Sequence, residues 1–109
     1  MQIKYTDTFL KEVKKLSKKF NFIKDDLKQA VDEINSKNSI GVSIWYDLYK
    51  KRVKNSSIPT GKSGGFRVII YKRFKDSIVL LTIYSKTHKE SLSDNELKEL
   101  LEKFMNKKK

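Results

Sequence analysis

The sequence has no cysteine, one histidine and one proline among its 109 residues. Without cysteine, the chain has no disulfide, no thiolate nucleophile and no cysteine-ligated metal site. The lone histidine, His88, excludes ribonuclease chemistry that uses two histidines, and a metal site there would need other ligands. We therefore expect no cofactor and no metal. His88 is either a solvent-exposed surface residue or a proton donor or phosphate contact.

Long apolar runs are also missing. The longest, residues 78–81, is followed by Thr82 and is far too short to span a bilayer. The start of the sequence carries Asp7 and Lys11 and lacks the apolar core of a secretory signal. These features predict a single small domain over residues 1–109, located in the cytoplasm and without a membrane partner.

Negative charge is scarce relative to positive charge. Lysine and arginine number 25 against 13 aspartates and glutamates, so the net charge is +12. Such an excess needs an anionic partner or a tolerance for self-repulsion, and nucleic acid is the usual partner of a compact basic domain. The alternative is that the lysines only keep the protein soluble.

Two helices are predicted in the N-terminal part of the chain. Apolar residues recur at helical spacing over residues 9–20, following a cap at Asp7. A second stripe covers residues 23–34, and Asn21 is the expected cap. Together they form a helical hairpin that needs a sheet to pack against.

Three segments, residues 44–54, 66–72 and 78–85, alternate as strands, and the last two form a hairpin. A short strand precedes the first helix, and Ser93 with Glu96 forms a capping box that opens a final helix. The fold class is therefore α+β: a small, mainly antiparallel sheet with an N-terminal helical hairpin and a C-terminal helix. We expect the helices on one face of the sheet and the other face open.

Basic side chains are predicted to meet on that open face. Alternation along residues 44–54 puts Lys50, Arg52 and Lys54 on one side of the sheet, and Arg67 begins the next strand. A row of like charges costs energy unless an anion lies between them. Nearby tyrosines can stack on single-stranded bases, so this face is a candidate RNA-binding surface, although a solvated lysine-rich face is the simpler alternative.

The segment GKS at residues 61–63 invites comparison with a phosphate-binding loop. That motif needs a glycine where this sequence has Ser56, and it needs a helix where residues 66–72 alternate as a strand. Nucleotide hydrolysis is therefore excluded. Lys62 remains a candidate anion contact, because the glycines after it let the backbone approach a partner closely.

Four segments together resemble the RelE/HigB toxins of type II toxin–antitoxin systems. They are YKKRV at residues 49–53, GKSGGFRVI at 61–69, LLTIYSK at 80–86, and KE at 89–90 before a leucine-rich helix. The similarity runs over nearly the whole chain, and the GKSGG-aromatic-arginine segment followed by LLTIYSK is its most specific part.

The resemblance implies the RelE/ParE fold and ribosome-dependent cleavage of mRNA. It also implies an antitoxin, expected to be a helix-turn-helix protein encoded by the adjacent gene. Lys50 and Arg52 match basic active-site positions, and Arg67 matches the arginine after the glycine–aromatic pair. The candidate catalytic residues are Lys50, Arg52, Arg67, Lys86, His88 and Lys89. The candidate RNA-binding residues are Lys54, Lys62, Tyr71 and Tyr84.

The roles of base and acid stay open at this point. RelE itself has a catalytic tyrosine near its C-terminus, where this sequence has Leu92 and Ser93. Two other functions also stay open. A ParE-like gyrase inhibitor would share the fold and the antitoxin without needing a basic catalytic cluster. A noncatalytic nucleic-acid-binding module would use the charge but lacks an obvious base-reading helix.

Overall fold

The computed structural model describes residues 2–58, 65–74, 76–86 and 92–107. Within these ranges the chain forms five strands and three helices. The strands are β1 (Gln2–Tyr5), β2 (Val42–Trp45), β3 (Leu48–Val53), β4 (Phe66–Phe74) and β5 (Ser77–Ser85). The helices are α1 (Asp7–Ser17), α2 (Ile23–Lys37) and α3 (Asp94–Lys107). This order confirms the predicted α+β fold with an N-terminal helical hairpin and a C-terminal helix.

The strands form one sheet in the order β1-β5-β4-β3-β2. Only β1 pairs in parallel, with β5, whereas β2–β3, β3–β4 and β4–β5 are antiparallel. The sheet is therefore mainly antiparallel, as predicted. The three longest strands, β3, β4 and β5, lie side by side at its centre.

The start of α1 differs from the prediction by one residue. Thr6, not Asp7, is the N-cap: its Oγ1 accepts a hydrogen bond from the backbone N–H of Phe9 (3.0 Å). The same hydroxyl donates to the carbonyl oxygen of Leu81 (2.7 Å). The threonine hydroxyl can accept a hydrogen bond from the end of the helix and donate one to the strand at the same time. Asp7 instead serves as the acidic residue of the first turn.

The N-terminus of α2 has no side-chain cap. The predicted cap, Asn21, is replaced by Phe22, whose side chain cannot cap and whose backbone N–H donates to Ser57 Oγ (3.1 Å). The helix ends at Asn38, which takes a left-handed conformation. No helix in the described ranges is long and apolar enough to cross a membrane.

The predicted strand over residues 44–54 is wrong, because the segment folds back on itself. β2 ends at Trp45 and β3 begins at Leu48, and these two residues pair across a turn formed by Tyr46 and Asp47. The turn contains neither glycine nor proline, so the usual sequence signal for a hairpin is missing.

One face of the sheet is covered by α1 and α2. Its cluster of buried residues joins both helices to alternate residues of the strands. Its members are Phe9, Phe20, Ile23, Ala30, Ile34, Val53, Phe66, Val68, Ile70, Ile78, Leu80 and Ile83. The two helices supply the apolar stripes that the sequence predicted for them.

The third helix lies on the opposite face, so the expectation that all helices share one face is wrong. Leu97 of α3 is buried with strand residues in a second cluster: Leu48, Ile69, Tyr71, Val79 and Leu81. We call this side the α3 face of the sheet. An amphipathic stripe predicts that a helix packs on a sheet but does not indicate on which face. The prediction that all helices share one face was wrong for this reason.

Candidate functional site

Three predicted site residues form one row across the sheet. Arg52 of β3 pairs with Arg67 of β4, and Arg67 pairs with Tyr84 of β5. Lys50 pairs with Ile69, two residues along the same strands. Directly opposed residues in antiparallel strands have their Cβ atoms about 5 Å apart, so the two guanidinium-bearing residues are close neighbours. The strand register therefore brings Lys50, Arg52, Arg67 and Tyr84 together.

These residues share the α3 face because of strand alternation. Leu48 and Ile69 belong to the cluster beneath α3, and Lys50 and Arg67 lie at even spacing from them. The intervening residue Lys51 points to the α1–α2 side, where its Nζ donates to Glu33 Oε1 (3.1 Å) and Ser39 Oγ (3.0 Å). Lys51 is buried and Glu33 is partly exposed in this ion pair. Because Lys51 faces the α1–α2 side, its neighbours Lys50 and Arg52 face the other side.

Arg67 is buried, with 2% of its surface exposed. Its Nη1 donates to the carbonyl oxygen of Phe66 (3.1 Å). Loss of hydration and, second, the positive charge of Arg52 lower the pKa of Arg67, while Tyr84 opposes this shift. The guanidinium nevertheless stays protonated at neutral pH, as arginine does in proteins. A permanent charge is thus held in a desolvated position, where its interactions with an anion are strong.

Tyr84 brings a buried hydroxyl to the same row. In the described part of the chain this hydroxyl has no hydrogen-bond partner. Burial raises the pKa of Tyr84, the charge of Arg67 counteracts the rise, and Glu96 adds to it. The residue lines a cavity of about 130 Å³ together with Lys50, Leu92 and Asp94. An unpartnered hydroxyl beside a cation can accept or donate a hydrogen bond to an incoming ligand.

The beginning of α3 lies beside Lys50 and Tyr84, so the face expected to be open is partly occupied. Ser93 and Glu96 form the predicted capping box: Ser93 N–H donates to Glu96 Oε1 (3.1 Å), and Glu96 N–H donates to Ser93 Oγ (3.2 Å). The first turn also carries Asp94, which borders the cavity containing Lys50. The helix therefore places carboxylates close to the cations of the strands.

Arg52 and Lys54 lie on the exposed side of the site. Both are exposed, and the end of β3 that carries them adjoins a small cavity next to α2, lined also by Asp26 and Glu33. The buried Asp26 accepts hydrogen bonds from the backbone N–H of Ser56 (2.9 Å) and from its hydroxyl (2.5 Å). This contact ties the segment after β3 to α2 and positions Lys54 at the edge of the site.

Gly65 packs the ends of three strands together. A Cβ atom there would overlap the carbonyl oxygen of Val53, at the end of β3. The carbonyl oxygen of Gly65 accepts a hydrogen bond from the backbone N–H of Lys86 (3.0 Å), after the end of β5. Gly65 thereby brings Lys86, which is half-buried, to the strand ends that carry Arg52 and Arg67.

A comparison with protein families identifies the chain. The sequence model described as the RelE toxin of the RelE/RelB toxin–antitoxin system matches residues 4–108. The chain belongs to the RelE toxin family. No curated protein gives a significant match. As a RelE-family protein, it is the toxin of a toxin–antitoxin system and has a cognate antitoxin as its partner.

Four predicted site residues of this RelE-family toxin need separate comment. Lys62, His88 and Lys89 lie outside the described residues. Tyr71, predicted to stack on RNA, is buried, and its ring centroid lies 5.5 Å from that of Phe104 of α3. That expectation is corrected: with α3 in this position, Tyr71 is a core residue, because the helix occupies the side on which a base would stack.

Some structurally important residues of this RelE-family toxin were missed from the sequence. Lys51, Asp26 and Gly65 position the site without belonging to the candidate set. A lysine at an inward strand position is the one available signal, since a buried charge requires a partner. In the described ranges, no three histidine, aspartate or glutamate side chains come together as metal ligands would.

Proposed function

We propose that this RelE-family toxin is an mRNA endonuclease that acts on the ribosome, without a metal, and inhibits translation. The observation that carries the proposal is the row formed by Arg52, Arg67 and Tyr84, with Lys50 beside it. Like charges directly opposite each other in a sheet are destabilising. A phosphate between them would relieve that repulsion, which makes the row suited to an RNA backbone.

RNA supplies its own nucleophile. The 2′-hydroxyl attacks the adjacent phosphate, the 5′-oxygen leaves, and a 2′,3′-cyclic phosphate remains. The protein must provide a base, an acid and a group that stabilises the additional negative charge on phosphorus. Arg67 is the candidate stabiliser because its planar, permanently charged guanidinium matches phosphate oxygens. The ribosome would orient the RNA strand, which reduces what so small a site must do itself.

The proton-transfer roles fall to the residues around Arg67. Lys50 is the candidate base, because it lies beside Arg67 on the same face of the sheet, one strand away. The candidate acids are Lys86, His88 and Lys89. Tyr84, proposed from the sequence as an RNA contact, would hydrogen-bond the substrate through its buried hydroxyl. Arg52 and Lys54, both exposed, would make the first contacts with the RNA backbone.

Access to Arg67 requires a rearrangement, because the side chain is buried in the free protein. We propose that docking on the ribosome uncovers it by shifting the first turn of α3, which lies beside Lys50 and Tyr84. The antitoxin, proposed to be the helix-turn-helix product of the adjacent gene, would block this face or displace α3. Its co-expression should then restore growth, and continued arrest with a folded antitoxin would count against this part of the proposal.

The test is to add the protein to a translating extract and to map the ends of the RNA. Cuts within translated frames that disappear when translation is blocked support the proposal. Intact RNA together with loss of gyrase supercoiling would instead indicate a ParE-like inhibitor. Binding of RNA without cuts in either condition would indicate a noncatalytic binding module.

A further inference from the structure

Tyr46 is the most exposed large hydrophobic residue of the described chain, with 79% of its surface in solvent. It occupies the first position of the turn between β2 and β3 and has a φ of 48°. Residues with a side chain rarely adopt this left-handed conformation, and asparagine and glycine are the usual choices in such turns. A tyrosine here is unfavourable for the backbone and buries little apolar surface. Folding alone therefore does not explain it.

The ring of Tyr46 is supported from one side. It meets the ring of Trp45 edge to face, with centroids 5.0 Å apart and planes at 64°. Trp45 itself is partly buried against the cluster beneath α3. The exposed ring of Tyr46 thus packs against the partly buried ring of Trp45. This contact restricts the movement of the Tyr46 ring and holds it in place for stacking with a planar ligand.

Basic residues border the turn, which itself carries the exposed Asp47. The backbone N–H of Lys72 donates to the carbonyl oxygen of Asp47 (2.9 Å), which brings β4 against the turn. Lys72 also donates from Nζ to Asn38 Oδ1 (3.1 Å), and the exposed Arg73 follows it. Lys50 lies in β3 only two residues beyond Leu48, where the turn ends. The turn with the aromatic pair therefore has basic residues on the adjoining strands, and it lies at the opposite end of β3 from Arg52.

We propose that Tyr46 is a stacking site for a base of single-stranded RNA, whose backbone is held by the cations around the turn. An exposed aromatic ring among basic side chains is the arrangement that binds single strands, through base stacking and phosphate contacts. The inference rests on the proposed function in taking RNA as the ligand, and it adds a subsite at the end of β3 opposite to the row of Arg52 and Arg67. The net charge of +12 favours RNA over a protein partner here.

Trp45 provides a direct probe, because it is the only tryptophan in the sequence and contacts Tyr46. The probe ligand is a 2′-O-methyl hexa-adenylate, which has no free 2′-hydroxyl and cannot be cleaved. We expect it to quench the fluorescence of Trp45 on binding to the full-length protein. An abasic oligonucleotide of the same length and charge should bind more weakly and leave the emission nearly unchanged.

Two variants separate stacking from charge. Tyr46→Asn removes the ring and suits the left-handed backbone, so the protein should melt at the same temperature or higher. Its affinity for the hexa-adenylate should fall about tenfold, as loss of one stacked base predicts. Tyr46→Phe retains the ring and should bind within about twofold of the wild type.

Failure of this inference is distinguishable from failure of the proposed function. No quenching in the wild type, equal response to the abasic strand, or unchanged affinity of Tyr46→Asn would each overturn the stacking site, even if mRNA is still cut on ribosomes. Conversely, ring-dependent binding without ribosomal cleavage would retain the site and reject the nuclease. If only the antitoxin changes Trp45 emission, and does so through Tyr46, the surface belongs to a protein partner and the inference is wrong.

Discussion

Arg67 combines a permanent charge with a position that solvent hardly reaches. If it stabilises the transition state, Arg67→Met should slow single-turnover cleavage on stalled ribosomes by a hundredfold or more. That corresponds to about 2.7–4 kcal/mol, the effect of losing one donor to a developing oxyanion. Methionine fills much of the buried volume, so the substitution limits the cavity that alanine would create.

The matched control is Lys15→Met, which removes a positive charge from α1. The side chain of Lys15 is 76% exposed and makes only a weak ion pair with Glu12 (3.6 Å). Thermal melts must first show that both variants fold. Equal cleavage rates for the two variants would mean that Arg67 has no part in the chemistry.

The buried phenol of Tyr84 predicts how the free energy of unfolding changes at alkaline pH. Burial raises the pKa of Tyr84, so the folded protein holds the phenolic proton more tightly than the unfolded chain does. Its contribution to stability is complete below the unfolded value of about 10 and is lost as the pH rises through the folded value. Tyr84→Phe should therefore flatten the alkaline fall in the free energy of unfolding, measured in urea between pH 8 and about 11.

At neutral pH the same variant should be as stable as the wild type or more stable. A buried hydroxyl without a partner costs about 1–3 kcal/mol, and phenylalanine removes that cost. Tyr46→Phe, at an exposed position, is the matched exchange. A large loss of stability in Tyr84→Phe at pH 7 would show that the hydroxyl has a structural partner after all.

At the scale of elements, the ends of β3, β4 and β5 depend on Gly65. Gly65→Ala would force its Cβ into the carbonyl of Val53, so the strand ends must separate. We expect a loss of about 1–3 kcal/mol in urea unfolding and slower cleavage, because Arg67 lies two residues away. Gly41→Ala should be worse, since it meets the backbone of Lys50 and also has a φ of +86°. Wild-type stability in Gly65→Ala would contradict this account of the strand ends.

The elements that the sequence predicted well are those with a strong local signal. The apolar stripe of α1, the hairpin of β4 and β5, and the capping box of Ser93 and Glu96 each depend on residues close in sequence. The turn at Tyr46 and Asp47 was missed, because residues 44–54 alternate like one strand and the turn contains no glycine. Here tertiary pairing overrides the local preference.

The strand positions of the candidate site residues could be predicted from the sequence. The burial of these residues could not. Alternation was enough to place Lys50 and Arg52 on one side, and the register of the sheet then put Arg67 and Tyr84 beside them. The burial of Arg67 was not predictable, because it depends on how segments distant in sequence pack around the strand. The side of the sheet on which α3 lies is determined by the packing of Leu97 and Phe104 on strands that are distant in sequence. No local sequence pattern encodes this packing.

At the scale of the whole molecule, the net charge of +12 predicts a strong response to salt. Each phosphate neutralised on a single strand contributes a slope of about −0.7 in log affinity against log salt concentration. Binding to ribosomes measured in a salt series should therefore weaken steeply. Lys54→Ala, at the exposed edge of the site, should make the slope shallower by about one such contribution. A flat response would mean that nucleic acid does not use the charge.

The parallel pairing of β1 with β5 also sets an order of events during synthesis. Ile3 pairs with Ile78, so the first strand has to wait for a segment 75 residues further along the chain. Contacts between such distant segments form late, because closing the intervening chain costs entropy before the pairing compensates for it. Until β5 has left the ribosome, α1 has no strand to cover, and the row of Arg52, Arg67 and Tyr84 is incomplete. If the proposed nuclease acts through this row, it is inactive while its own chain is being made, and an antitoxin already present has that interval in which to bind it.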